Sequence, residues 1–185
     1  MISKGISDVD LLKAIWDHRD IKAFETIVNS YQGKVFRLCF RIIRLREEAE
    51  DAAQEIFVKL WEHPDDYQPK ARFSTWLYRV TTNHCLNRRR YLKLKSFLSF
   101  SPNVEVEIYS DSHNKTPEFE LVSSEKSYQF QRAFRRLSGR QRAALHLRYW
   151  EDLSVREVAD VLSITLKSAE SLIYRGKKTL GRCLR

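Results

Sequence analysis

Apolar residues recur along this chain at intervals of three and four. Phe24, Ile27, Val28 and Tyr31 fall at i, i+3, i+4 and i+7, and Val35, Leu38, Cys39 and Ile42 extend the stripe. That spacing keeps one face of a helix apolar. A second helix is expected from about residue 47, with Ala49, Ala52, Ala53, Ile56, Phe57, Leu60 and Trp61 on its apolar side. It should stop before Pro64, because proline disfavours helical backbone in the residue preceding it. Residues 65–71 read as a polar turn, and a third helix is expected over roughly 73–92, carrying Trp76, Leu77 and Val80.

The pattern breaks over residues 96–125, where Ser, Asn, Asp and Pro accumulate. About 30 residues without periodicity is too long for a connection inside a compact domain. Helical spacing then returns, with Phe130, Ala133, Phe134 and Leu137 at i, i+3, i+4 and i+7. Ser138 with Gln141 and Ser154 with Glu157 have capping-box spacing, and Thr165 can cap a last helix. In the helix after Ser154, Val155, Val158, Ala159 and Leu162 point inward. In the last helix, Leu166, Ala169, Ile173 and Leu180 should form the buried stripe. The expected fold is all-α, with helical domains at 1–95 and 126–185 joined by a flexible connector at 96–125.

Five Gly and four Pro in 185 residues argue against a loop-rich or all-β chain. The net charge of +9 favours a polyanionic partner. It is unevenly spread: net +5 over 1–95, −5 over 96–125 and +9 over 126–185. Cys39, Cys85 and Cys183 are distant in sequence and odd in number, which fits a reducing compartment rather than a disulfide framework. Neither an apolar leader nor a membrane-length apolar run is evident, so the cytoplasm is the expected location. The scattered histidines have no metal-ligand spacing, and no cofactor or metal is expected.

Three faces carry candidate chemistry. On the last helix, Lys167, Ser168, Glu170, Ser171, Tyr174, Arg175, Lys177 and Lys178 oppose the apolar stripe. With Ser154 and Thr165 at the preceding turns, the segment reads as a helix-turn-helix. Its early residues are placed for base edges and its late cations for phosphates. A solvated basic face, with cations favoured by the helix dipole, is the competing reading. The third helix interleaves aromatic and polar or basic residues: Arg72, Phe73, Ser74, Trp76, Tyr78, Arg79, Asn83, Asn87, Arg88, Arg89 and Arg90. That combination suits unpaired bases, which stack on aromatic rings, although Trp76 serves equally well in a core. The second helix groups Asp51, Gln54, Glu55, Val58 and Glu62, an acidic face suited to a basic protein partner or simply to solvent.

In this order the pieces resemble a bacterial RNA polymerase sigma factor of the extracytoplasmic-function type. Residues 24–90, with Asp51-Ala52-Ala53-Gln54-Glu55-Ile56-Phe57-Val58-Lys59-Leu60-Trp61 and Phe73-Ser74-Thr75-Trp76-Leu77-Tyr78-Arg79, look like the family's second region. Residues 137–180, with Leu137-Ser138-Gly139-Arg140-Gln141-Arg142 and Ser171-Leu172-Ile173-Tyr174-Arg175, look like its fourth. The resemblance implies core polymerase docking through Asp51, Gln54, Glu55, Phe57, Val58, Leu60 and Trp61 onto the largest subunit. The third-helix set would open and read the minus-ten element, and the helix-turn-helix set would read the minus-thirty-five duplex. The acidic connector would thread polymerase channels, its charge standing in for a phosphate backbone. Partners implied are the two largest polymerase subunits, duplex and melted promoter DNA, and an anti-sigma protein that is often membrane-bound, with no small-molecule substrate.

The chain departs from the family pattern in three places. Ser163 stands where glycine is common, Leu172 stands where arginine is common, and the stretch 108–115 looks long. A plain DNA-binding regulator is the rival reading, but it has no use for the acidic helix followed by the aromatic–basic one. A nucleic-acid enzyme would need an acidic metal cluster or a nucleophile–base pair, and the sequence offers neither.

Overall fold

A computed structural model gives the structure of the protein and describes residues 7–67, 72–98 and 125–184. All regular structure among these residues is helical. It comprises α1 (Asp8–His18), α2 (Ile21–Ile43), α3 (Arg46–Glu62), a 3-10 turn (Pro64–Asp66), α4 (Phe73–Leu98), α5 (Glu125–Arg135), α6 (Gly139–Tyr149), α7 (Val155–Leu162) and α8 (Leu166–Cys183). The chain divides into two compact units, with the division falling between Arg88 and Arg89, inside α4. Most of the acidic connector, residues 99–124, lies outside the described residues.

In the first unit α2 is the central helix. Its spacing buries Ile27, Tyr31, Val35, Leu38, Cys39 and Ile42 as expected. α3 packs Ala49, Ala52, Ala53, Ile56, Phe57 and Leu60 inward, the alanines letting the two helices approach closely. α4 closes the bundle through Phe73, Leu77, Tyr78, Thr81 and Cys85. The Cys85 thiol meets that of Cys39 on α2, and this contact together with burial pushes its pKa well up.

Two elements differ from the sequence expectation. α1 has no long apolar stripe to announce it; Ser7 caps it by accepting the Asp10 backbone N–H, and Leu11, Leu12 and Ile15 bury its inner face. The Tyr31 hydroxyl donates to Asp8 at 2.6 Å and ties α1 to α2. α4 runs six residues past the expected end near 92, because no Gly or Pro interrupts 93–98.

In the second unit α5, α6 and α7 all pack against α8. Both expected capping boxes are present: Ser138 with Gln141 opens α6, and Ser154 with Glu157 opens α7. Ala169, Ile173 and Gly176 make the buried seam of α8. Leu166 instead is exposed and Leu180 half-buried, so the inward stripe is narrower than its spacing suggested. Gly176 allows close approach to α6: a Cβ there would lie 3.0 Å from Leu145 Cδ1, and that side chain would have to give way. Arg142 is fully buried and donates from Nη1 to the Leu137 carbonyl at 3.0 Å.

Candidate nucleic-acid interface and docking helix

The helix-turn-helix follows from local chemistry. α7 ends on Ser163, whose φ of 51° and ψ of 50° put it in the left-handed region and reverse the chain. Thr165 then caps α8 by accepting the Ser168 backbone N–H. Every residue assigned from sequence to duplex reading is exposed: Ser154, Thr165, Lys167, Ser168, Glu170, Ser171, Tyr174, Arg175, Lys177 and Lys178. Two hydroxyls of the set, those of Ser154 and Thr165, are engaged in capping. They stand at helix N-termini, where backbone N–H groups and the dipole favour a phosphate. Arg175 Nε donates to the Ser171 carbonyl, and the Lys177 ammonium lies 5.5 Å from the Tyr149 ring centre on α6.

α4 is more divided. Arg72, just before the helix, and Trp76, Arg79, Asn83, Asn87 and Arg90 recur every three or four residues and form one outward stripe. Arg72, Arg79, Asn83, Asn87 and Arg90 are exposed, while Trp76 is half-buried. Trp76 rests on Tyr67 and Phe73, at ring separations of 5.6 and 5.7 Å. Ser74 is half-buried.

Phe73 and Tyr78, expected from sequence to touch DNA, are each only 2% exposed. Phe73 packs edge-on against Tyr31 and Tyr67, so it anchors the stripe from behind. Arg88 and Arg89 also fall off the stripe. Burial lowers the pKa of Arg89, and Arg88 turns to α3, where its Nε donates to Glu48 at 2.5 Å.

On α3, Asp51, Gln54, Glu55 and Val58 are exposed along one face. Phe57 and Leu60, included in the docking set from sequence, are buried and hold the helix to the bundle. Trp61 is half-buried at the edge of the face, tilted against Phe24 with ring centres 5.0 Å apart. Arg19, absent from the sequence-based set, stacks its guanidinium 4.6 Å from the Trp61 ring centre and donates to the Trp61 carbonyl at 2.6 Å. A cation on one of the last carbonyls of α3 also suits the helix dipole. No local sequence signal pairs residues 42 positions apart.

Toward α4 the exposed face of α3 is bounded by charged groups. Glu55 Oε2 lies 3.2 Å from His84 Nε2, and Glu55 Oε1 lies 4.0 Å from Arg88 Nη1. Burial, with Lys59 close by, holds the His84 imidazole below its ordinary pKa against the opposing pull of Glu55. The Glu48 hydrogen bond holds Arg88 protonated above its ordinary range. Among the described residues there is no His, Cys, Asp and Glu group able to hold a metal ion.

Comparison with known proteins fits this division. The Sigma-70 region 2 family matches residues 27–94, and the Sigma-70, region 4 family matches residues 127–180. The chain is 33% identical to the ECF RNA polymerase sigma factor SigW of Bacillus subtilis (strain 168), over 90% of this chain and 91% of that protein. It is 27% identical to the RNA polymerase sigma-H factor of Pseudomonas aeruginosa, over 89% and 88%. Among solved structures it resembles the sigma factor RpoE of Bartonella quintana, determined in complex with the anti-sigma factor NepR. That match has a TM-score of 0.71 at 20% identity, covering 89% of this chain and 98% of the other. It also resembles CnrH, determined in complex with the cytosolic domain of CnrY, with a TM-score of 0.64 at 19% identity over 96% of each chain. At these identities the two structures bear on the fold.

Proposed function

We propose a division of labour within a chain that belongs to the extracytoplasmic-function family of RNA polymerase sigma factors, the non-enzymatic factors that direct polymerase to promoters. The exposed face of α3, with Asp51, Gln54, Glu55, Val58 and the edge of Trp61, docks on the largest subunit of core polymerase. The outward stripe Arg72, Trp76, Arg79, Asn83, Asn87 and Arg90 takes the minus-ten strand as it opens. Trp76 offers a ring for stacking, and the arginines hold the backbone. The start of α8 reads the minus-thirty-five duplex with Lys167, Ser168, Glu170 and Ser171, while Arg175, Lys177 and Lys178 bind phosphates.

The observation that carries this reading is the arrangement of the first unit. One small bundle carries both an exposed acidic face on α3 and an exposed aromatic–basic stripe on α4. A plain duplex-binding regulator requires only the helix-turn-helix. The working boundaries are 1–95 and 126–185, with residues 96–125 as an acidic tether through polymerase channels that also involve the second-largest subunit. If the tether mimics a phosphate backbone, neutralising Glu105, Glu107 and Asp111 lengthens or shortens abortive transcripts; an unchanged product ladder rejects that role. Among the described residues no helix is long and apolar enough to cross a membrane. We take the cytoplasm as the site of action, and an anti-sigma protein, anchored at the membrane or free, as the third partner.

The deciding experiment is run-off transcription with core polymerase on a promoter library. The wild-type chain should direct initiation at a defined promoter class. Glu55→Lys should lose core binding by at least about a hundredfold with its helical content unchanged, because it sets like charges against a basic partner. A Glu55→Lys protein that binds core normally rejects α3 as the docking face.

A further inference from the structure

The exposed carboxylate of Glu55 is not an isolated side chain. Its two oxygens face His84 Nε2 at 3.2 Å and Arg88 Nη1 at 4.0 Å, both on α4. Arg88 is fixed in turn by the 2.5 Å bond from its Nε to Glu48, about two turns before Glu55 on α3. The Glu55 side chain remains 46% exposed, whereas that of His84 is 16% exposed. One side of the carboxylate therefore rests on α4 and the other is open to a partner. We infer that Arg88 is a positioning residue for polymerase docking: its guanidinium, anchored on Glu48, holds the Glu55 carboxylate in its binding geometry before core polymerase arrives. This rests on the reading of α3 as the docking helix. It also moves Arg88 from the promoter-binding set to the docking face.

Two effects compete. A neighbouring cation attenuates the negative charge that attracts a basic partner. Fixing a long side chain in advance removes ordering that binding would otherwise require. The distances decide between them. Arg88 bonds Glu48 at 2.5 Å and stands 4.0 Å from Glu55. Its charge is mainly compensated by Glu48, so Glu55 gains orientation while keeping most of its field. Near neutral pH the imidazole of His84, with its lowered pKa, adds little positive charge. The other charged groups at this edge are Lys59 and Asp51 on α3. The turn of α4 matters as well. Arg88 follows Asn87 by one residue, about 100° around the helix, which carries it away from the outward stripe and toward α3.

The test uses the full-length protein. Core polymerase affinity is measured by fluorescence titration, and binding to a short mixed-sequence single-stranded DNA is measured across a salt series. Arg88→Gln should weaken core binding about three- to tenfold and leave the salt dependence of DNA binding as in the wild type. In a Glu55→Gln background the same change should have no further effect on core binding, since there is no carboxylate left to position. Glu48→Gln should also weaken core binding, because Arg88 is then released to neutralise Glu55. A thermal melt confirms that each variant is folded, and Glu48→Gln carries the test if Arg88→Gln is not. The inference is overturned if Arg88→Gln leaves core affinity unchanged, or if it lowers the single-strand salt slope by about 0.7, the mark of a lost phosphate contact. It is also overturned if the losses from Arg88→Gln and Glu55→Gln simply add. Failure of the docking reading is a separate outcome, registered by normal core binding of Glu55→Lys.

Discussion

α8 and α4 are the two helices we propose for nucleic acid, and they carry their polar residues differently. On α8 every assigned side chain is exposed, the buried seam is a narrow line of Ala169, Ile173 and Gly176, and N-caps fix where the helix begins. On α4 the buried arc is wide, taking in Phe73, Thr75, Leu77, Tyr78, Thr81, Thr82 and Cys85. Residues that look alike in sequence are therefore divided among core, interhelix bridge and outer stripe. A recognition helix lying on its own small unit can give a whole face to DNA. A helix that also closes a bundle keeps a face for its neighbours, and aromatic or basic character does not tell which face a residue occupies.

Phe73 is where the division of α4 has the largest measurable consequence. If it belongs to the core, Phe73→Ala should destabilise the first unit by about 3–5 kcal/mol, the usual cost of truncating a buried aromatic residue. Trp76→Ala, at a half-buried ring, should leave the fold largely intact and weaken binding to melted minus-ten DNA. Thermal denaturation paired with single-strand binding separates the two. A Phe73→Ala protein that melts like wild type and fails only in DNA binding would return Phe73 to the interface.

The second unit was the more legible. Its caps are local: Ser138 with Gln141, Ser154 with Glu157, and Thr165 with Ser168 lie three residues apart, and all three form. Its apolar spacing placed α6, α7 and α8, and erred at Val155, which is half-buried, and at the ends of the α8 stripe. In the first unit the positions of α2 and α3 were clear from period alone. α1 was not, because eleven residues with three buried side chains leave little periodic signal. What escaped entirely was long-range. The Arg19–Trp61 contact and the Glu48–Arg88 bridge join residues about 40 positions apart, and only the packed bundle brings them together. Arg88 read as one of three consecutive arginines until α3 supplied its partner.

A smaller effect sharpens the α8 side. Arg175 is exposed and late in the helix, where a cation meets backbone rather than base. Arg175→Ala should weaken minus-thirty-five duplex binding about tenfold, uniformly across sequences, and reduce the salt slope by about one. Glu170→Ala should instead reorder preference among base substitutions, since a carboxylate in the major groove accepts from the cytosine amino group. Competition binding against a panel of single-base variants distinguishes the two. A sequence-dependent loss at Arg175 would make it a reader.

The smallest effects concern two turns with the same backbone and different side-chain use. Arg19 ends α1 and Ser163 ends α7, both at φ 51° in the left-handed region, where a Cβ is unfavourable. Glycine relieves that strain at either position and adds flexibility to the unfolded chain, so the two contributions partly cancel. At Ser163 the side chain is a small exposed hydroxyl, and relief should prevail. Ser163→Gly should stabilise the second unit by about 0.5 kcal/mol, roughly 2–4 °C in its melting transition. At Arg19 the same change removes the guanidinium from the Trp61 ring and its bond to the Trp61 carbonyl. A cation–π contact at an exposed site is worth about 0.5–1 kcal/mol and a hydrogen bond about 1 kcal/mol. Arg19→Gly should therefore destabilise the first unit despite the relieved strain, and it should loosen the Trp61 edge of the docking face, visible as a shift in tryptophan fluorescence. Opposite signs at the two positions would separate a turn that only reverses the chain from one whose side chain also braces α3; stabilisation at both would mean that the Arg19 bridge contributes nothing to the folded state.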